Sequence, residues 1–300
     1  MHMDIKKYEV LLRVIDRGSF ARACDDLSYT QSGITNMMNS LEKELGFPLL
    51  IRNNKGIQMT ADGMRVLPAI RELVRVNDRL EQECGLVRGV ETGEVRVGTF
   101  PTLACAWLPR MIRNFHERYP GISIKLMEEN NIFHLEEWLS TGFVDVAFFS
   151  RQPKHTYEWI DLKKDPYLAV LPEKSPLAEY DRVPLEELVQ TPFLMCQSLD
   201  GADQDIDRYL KSNGLRLQYH LTSNSDYTVI CLIEEQLGVS ILPELFLDLV
   251  LKGHPSITVR PLSPPAYRRL GLTARTFRDL SPAASRLVQT ALDCFRAEPL

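Results

Sequence analysis

Between positions 30 and 43 the chain places Thr30, Gln31, Ser32, Thr35, Asn36, Asn39, Ser40 and Lys43, nearly all of them short side chains that hydrogen-bond without carrying charge. Amides and hydroxyls of this kind can read base edges in a major groove, where a carboxamide pairs with adenine through two bonds at once. Gly33 in their midst allows close approach. Further on, Arg52 and Lys55 supply cations for phosphates, and Ser19 stands just before a short helical stretch. A polar helix face taken singly is more often merely solvated, so the reading depends on what holds these side chains up.

A second group suits a small ligand. Thr99-Phe100-Pro101-Thr102 ends a strand just before a helix, where hydroxyls and free amides favour an anion such as a carboxylate. Facing candidates are Asn130 and Ser150 in the same half, and Gln197, Ser198, Asn224 and Ser225 in the other. Each of these could equally cap a helix or turn. Enzyme motifs are missing: there is no Gly-rich phosphate loop, no G-x-S-x-G and no H-E-x-x-H. No catalytic residue is expected. His116, His134 and His155 read as surface or capping residues. The six cysteines, Cys24, Cys84, Cys105, Cys196, Cys231 and Cys294, are scattered without metal-ligand spacing, so neither a zinc site nor a disulfide framework is expected, and no cofactor.

The elements that position the first group are legible. Asp4 to Arg17 repeats Ile5, Tyr8, Leu11, Leu12 and Ile15 at helical spacing, with Gly18 as the stop. Phe20 to Asp26 follows, burying Phe20, Ala23 and Leu27, and Thr30 caps a third helix, Gln31 to Leu45, with Ile34, Met38, Leu41 and Leu45 on its apolar face. Two helices joined so tightly suggest a helix-turn-helix. Leu49-Leu50-Ile51 and Ile57-Gln58-Met59 then flank an Asn/Lys/Gly tip as a small hairpin, a wing.

Thr60 caps a long helix to about Arg88. Along it Val66, Ile70, Leu73, Asn77, Leu80, Cys84 and Val87 alternate by four and three, the spacing of a coiled-coil seam with one polar member; packing on the chain's own body is the alternative. A homodimer seam is expected, with a bend near Met64 because Pro68 leaves one carbonyl unpaired. From Glu94 the pattern changes to strand Glu94–Phe100, helix Leu103–Tyr119, strand Ile122–Met127, helix Leu135–Ser140 and strand Val144–Phe149. Further elements are read at Tyr167–Leu171, Pro192–Cys196, Leu217–Thr222, Val229–Gln236, Val239–Leu242 and Arg269–Ala274, with a closing helix Pro282–Arg296. Such alternation predicts an α/β domain on a parallel, doubly wound sheet with its ligand outside the strand ends.

At 300 residues the chain exceeds one small domain. Its 44% hydrophobic and 25% charged residues are those of a packed globular protein. The net charge of −5 excludes indiscriminate nucleic-acid coating, although residues 1–60, with eight Lys/Arg against seven Asp/Glu, are net +1. No apolar run is long enough to span a bilayer and no signal pattern opens the chain, so a cytoplasmic protein is expected, with Met1 and His2 outside its native part.

Gly18-Ser19-Phe20, Thr30-Gln31-Ser32-Gly33-Ile34-Thr35, Leu41-Glu42-Lys43-Glu44-Leu45-Gly46, Pro48-Leu49, Arg52 and Thr60-Ala61-Asp62-Gly63 together resemble the DNA-binding segment of the LysR-type transcriptional regulators. Where that family usually has basic residues midway along the recognition helix, this chain has Asn36, Met37 and Asn39. Glu94 to Thr102, Leu139 to Ala147 and Gly238-Val239-Ser240-Ile241-Leu242-Pro243 resemble its effector domain, itself similar to periplasmic binding proteins. The resemblance implies a winged helix-turn-helix over 3–60, a linker and dimerisation helix over 61–89, and an effector-binding domain over 90–300. Of the last, 94–163 and 265–300 would form one lobe and 164–264 the other. It implies double-stranded operator DNA, a small anionic effector and a second copy of the chain as partners, with dimers pairing into tetramers. Alternatives are a redox-sensing regulator of the same architecture, using Cys196 or Cys231, and a cytoplasmic solute-binding or enzymatic α/β protein.

Overall fold

The computed structural model describes residues 4–53, 56–198, 201–202, 204–216 and 220–297. Helix α1 (Ile5–Arg17) is capped by Asp4, whose carboxylate accepts the Lys6 N–H, and stops at Gly18 in the left-handed region. Helices α2 (Phe20–Leu27) and α3 (Gln31–Leu45) follow, and the Thr30 hydroxyl accepts the Gly33 N–H at 3.1 Å to start α3. The predicted apolar spacing closes one core, in which Leu11, Ile34, Met38, Leu41 and Leu49 are all but inaccessible. Each such side chain contributes about 1.5–3 kcal/mol by leaving water. Strands β1 (Leu50–Asn53) and β2 (Gly56–Met59) form the antiparallel hairpin. The Ile57 N–H bonds the Gly18 carbonyl at 3.2 Å, which docks the hairpin on the α1–α2 turn.

Helix α4 (Ala61–Val87) is capped by Thr60 and runs unbroken through Pro68. Its predicted seam divides. Val66, Ile70 and Leu73 pack into the core of α1–α3, Ile70 being buried, so this half of the stripe is corrected from partner contact to internal packing. The first turns of α4 lie against α1 and β2, which bury Ile70 and leave Val66 and Leu73 half-buried. Farther along, Leu80, Cys84 and Val87 are exposed. Asn77 donates to Glu81 Oε1 one turn on at 3.3 Å.

The remainder is α/β: β3 (Gly93–Thr99), α5 (Pro101–Ala106), α6 (Leu108–Arg118), β4 (Ile122–Glu128), α7 (Ile132–Ser140) and β5 (Val146–Ser150), then β6 (Glu158–Pro172), β7 (Val183–Pro184), α8 (Leu185–Leu188), β8 (Leu194–Ser198), β9 (Gly201–Ala202), α9 (Gln204–Ser212), β10 (Leu221–Ser223), α10 (Asp226–Glu234), β11 (Ser240–Pro243), α11 (Glu244–Val250), β12 (Ile257–Ala274) and α12 (Pro282–Ala297). Two expectations are corrected. The helix predicted over Leu103–Tyr119 is two, because Pro109 near the start of α6 has no N–H to continue the ladder of α5. The sheet is mixed rather than parallel. Strand β3 runs parallel to β4 and β5, and β8 to β10, but the 15-residue β6 and 18-residue β12 pair antiparallel along their lengths. Strand β12 is also antiparallel to β5, as β11 is to β6. These two long strands pass from one half of the fold to the other, with a register break between Pro261 and Ala266. Of the further elements, Val229–Gln236 falls largely in helix α10.

Two core clusters, around Trp107 and Phe149, flank β3 and β5, and two more, around Phe193 and Ile230, flank the far halves of β6 and β12. Leu245 of α11 crosses over and seats in the Trp107 cluster. Among the described residues no helix is long and apolar enough to cross a membrane.

Candidate functional site

Along α3, Gln31, Ser32, Asn36, Asn39 and Lys43 are exposed and Thr35 is half-buried. They stand opposite the buried Ile34, Met38 and Leu41, so one apolar stripe aims the polar face outward. Thr30 is spent on its cap and on a 3.1 Å hydrogen bond with Ser32 Oγ. Ser40 is half-buried, and its hydroxyl donates to Glu44 and accepts from Lys7 Nζ at 3.0 Å, in an ion-paired group joining α1 to α3. Sequence spacing put it on the reading face, but α1 supplies a cation that claims it. Ser19 precedes α2 and makes no capping bond. Lys55 and the side chain of Arg52 lie outside the described residues.

Glu42, which the spacing gave no role, fixes the wing. Its Oε1 accepts the backbone N–H of Leu49 at 2.6 Å and of Leu50 at 2.9 Å. Thr60 closes the other side by donating to the Pro48 carbonyl at 2.8 Å. Gly63 completes the joint, since a Cβ there would lie 2.6 Å from the Leu49 carbonyl oxygen. Helix, wing and linker therefore meet as one rigid corner.

On the ligand side, β3 and β5 are parallel neighbours with Thr99 opposite Phe148. Their carboxyl ends thus bring Thr99, Phe100, Thr102 and Ser150 to one edge. Thr99 and Ser150 are almost fully buried and Thr102 nearly so, while Phe100 packs on both flanking clusters. Helix α5 has six residues, too few for a strong terminal dipole, so the hydroxyls matter more than the helix end. The other predicted partners differ in what they offer. Asn130 and Asn224 are exposed, and Ser225 caps α10 by accepting the Thr228 N–H. The side chains of Gln197 and Ser198 lie outside the described residues.

Two residues that the sequence reading missed complete the edge. The carboxamide of Gln152, 6% exposed, donates to the Ser150 carbonyl at 2.9 Å and to Ser150 Oγ at 3.2 Å. Its oxygen accepts from Arg208 Nη1 of α9 at 3.0 Å. Because arginine only donates, this network fixes which way the amide faces. Asp205, one turn back, also holds the Arg208 guanidinium. The result is a line Ser150–Gln152–Arg208–Asp205 that reaches from the end of β5 to a helix on the far sheet. Arg208 sits in an amphipathic helix whose only local signal is its buried Ile206 and Leu210, and nothing within that window points at Gln152. Cys231 is half-buried on α10, and the Cys196 side chain lies outside the described residues.

Residues 5–64 match the family described as the bacterial regulatory helix-turn-helix protein, lysR family, and residues 88–296 match the LysR substrate binding domain. The uncharacterized HTH-type transcriptional regulator YvbU of Bacillus subtilis is 30% identical over 298 residues, covering 99% of this chain and 100% of its own. The HTH-type transcriptional activator CmpR of a Synechocystis species is 26% identical, over 96% of this chain and 97% of its own. Among solved structures, a full-length OxyR variant from Pseudomonas aeruginosa aligns with a TM-score of 0.77 at 20% identity, over 99% of this chain and 95% of that one. Full-length CbnR complexed with its target DNA aligns with a TM-score of 0.64 at 21% identity, over 97% and 99%.

Proposed function

The chain belongs to the LysR family of bacterial transcriptional regulators, and from that premise we propose that its effector is a small carboxylate held between the Thr99, Thr102 and Ser150 hydroxyls and Arg208. The observation that carries this is the Arg208–Gln152 hydrogen bond. Arg208 spans the two halves of the α/β domain with Nη1 on a neutral amide and Nη2 on Asp205, and a ligand carboxylate in place of the amide would give Nη1 a stronger, charge-assisted bond. Exchanging amide for carboxylate makes the affinity differ between the two arrangements of the halves, and that difference is what shifts a conformational equilibrium.

The test is thermal unfolding of the full chain with a panel of small carboxylates and their neutral amides. Carboxylates should raise the midpoint, by about 2.7 kcal/mol in stability at a hundredfold excess over Kd, and Arg208→Gln should remove the rise. Amides as effective as acids, or a full response in Arg208→Gln, would overturn the proposal.

For DNA, we assign sequence reading to Gln31, Asn36 and Asn39, and phosphate contact to Lys43, Arg52 and Lys55, with Ser19, Ser32 and Thr35 near the helix ends. Gln31→Ala should relax discrimination at one base pair by about 1–3 kcal/mol, whereas Arg52→Ala should weaken all sequences alike and flatten the salt dependence by roughly one unit of slope. Competition gel shifts on the DNA upstream of the chain's own gene, across a salt series, separate the two, and the reverse pattern would exchange the roles. The exposed half of the α4 stripe, Leu80, Cys84 and Val87, is the surface we assign to the second copy. The domain limits that fit this reading are 3–60, 61–89 and 90–300, with the lobe boundary at 163–164 and 264–265.

A further inference from the structure

Arg71 lies on α4 where three units meet, and it is 7% exposed. Its Nη2 donates to Asp16 Oδ1 of α1 at 2.8 Å. Its guanidinium carbon stands 5.0 Å from the centre of the Phe143 ring. Phe143 follows α7 and packs with Val144, Ala147 and Phe149, in the cluster behind the strand that ends in Ser150. Asp16 lies beside the α1–α2 turn on which the wing is docked. One side chain therefore touches both the unit that carries the recognition helix and the core that backs the ligand edge. The next turn of α4 is clamped to the same half: Arg75 and Arg275 both hold Glu72, and Arg75 also reaches the Asp279 carbonyl. Those pairings, Arg75 first, hold the Glu72 carboxyl down at about 2.

The burial of Arg71 is costly. Nε and Nη1 are buried with no hydrogen-bond partner, and a desolvated cation that is only partly satisfied loses several kinds of interaction that water would give. A methionine would fill such a space without that cost. What the guanidinium adds is direction, because its centre is held over the Phe143 ring while its Nη2 is held by Asp16, and one rigid planar group links the two contacts.

We propose that Arg71 is a positioning residue that sets the angle of the DNA-binding unit against the effector-binding domain, taking Phe143 as its sensor and Asp16 as its output. A shift of Phe143 by the core behind Ser150 tilts the guanidinium and, through Asp16, the end of α1. Phe143 does not itself have to touch the DNA-binding unit.

Hydrogen exchange on the full chain tests this without knowing effector or operator. The reporter is the last turn of α1, the amides of Val14 to Arg17. Phe143→Leu keeps apolar bulk but removes the aromatic face, and it should speed exchange there roughly three- to tenfold, the scale of one buried cation–π contact. Phe143→Trp keeps a face and should restore wild-type exchange. In an Arg71→Met background, Phe143→Leu should add nothing; if Arg71→Met misfolds, Asp16→Asn serves as the background. Unchanged exchange in Phe143→Leu, or an effect that persists undiminished in either background, overturns the proposal. A purely structural role for Phe143 would give equal effects in all backgrounds.

Discussion

Asp165→Ala should cost about 3–5 kcal/mol, the loss expected when one partner of a buried ion pair is removed and its countercharge stays behind. Asp165 is 1% and Arg268 9% exposed, and Arg268 Nε meets Asp165 Oδ2 at 2.8 Å. The other carboxylate oxygen accepts the Leu245 N–H at 3.0 Å, at the start of α11. One carboxylate therefore joins β6, β12 and α11 at the place where the long strands pass between the halves, and α11 in turn seats Leu245 in the Trp107 cluster. Urea unfolding followed by fluorescence of Trp107, Trp138 and Trp159 reads the shift. A loss below about 1 kcal/mol, the level of a surface pair, would show that the pair is not structural. The double variant Asp165→Leu with Arg268→Met should regain only part of the loss: the apolar pair bears no desolvation cost, but the Leu245 N–H loses its acceptor.

That pair also marks where sequence reasoning ends. Asp165 and Arg268 are 103 positions apart, and no periodicity within either strand connects them. The N-terminal unit was legible because its signals are local: Thr30 and Thr60 cap helices through amides three residues on, and the Ile34, Met38 and Leu41 spacing is set by helix geometry alone. The α/β part was legible as a class, but strand direction was not. Alternation predicts parallel crossovers, whereas the pairings of β12 with β5 and β6, and of β11 with β6, are antiparallel and make the sheet mixed. The same limit explains the site. Thr99, Thr102 and Ser150 are found because strand ends are local features, whereas Gln152 and Arg208 acquire meaning only from a contact across 56 positions. The α4 stripe is a different case. A heptad pattern states that a face is covered but not by what, and for Val66, Ile70 and Leu73 the cover is the chain's own core.

Glu42→Ala should lower the stability of the N-terminal unit by about 2–4 kcal/mol, because two backbone N–H groups lose a charged acceptor together. Those groups belong to Leu49 and Leu50, and Leu49 is fully buried, so water cannot readily replace the carboxylate. Glu42→Gln keeps one acceptor oxygen in place and should lose about half as much, charge-assisted bonds being roughly twice as strong as neutral ones. DNA affinity should fall even in the folded variant. Phosphate contacts set register and base contacts read it, and Glu42 is the strut that holds the wing at a fixed angle to α3. With the strut removed, Arg52 and Lys55 would no longer share a frame with Gln31, Asn36 and Asn39. Affinity for the upstream DNA should fall more than about tenfold, or 1.4 kcal/mol, below the unfolding temperature of the variant, while the thermal response to carboxylates stays intact. Gel shift and thermal unfolding on the same preparations decide it: wild-type affinity in a variant of wild-type stability would mean that the wing is oriented by Thr60 and Gly63 alone.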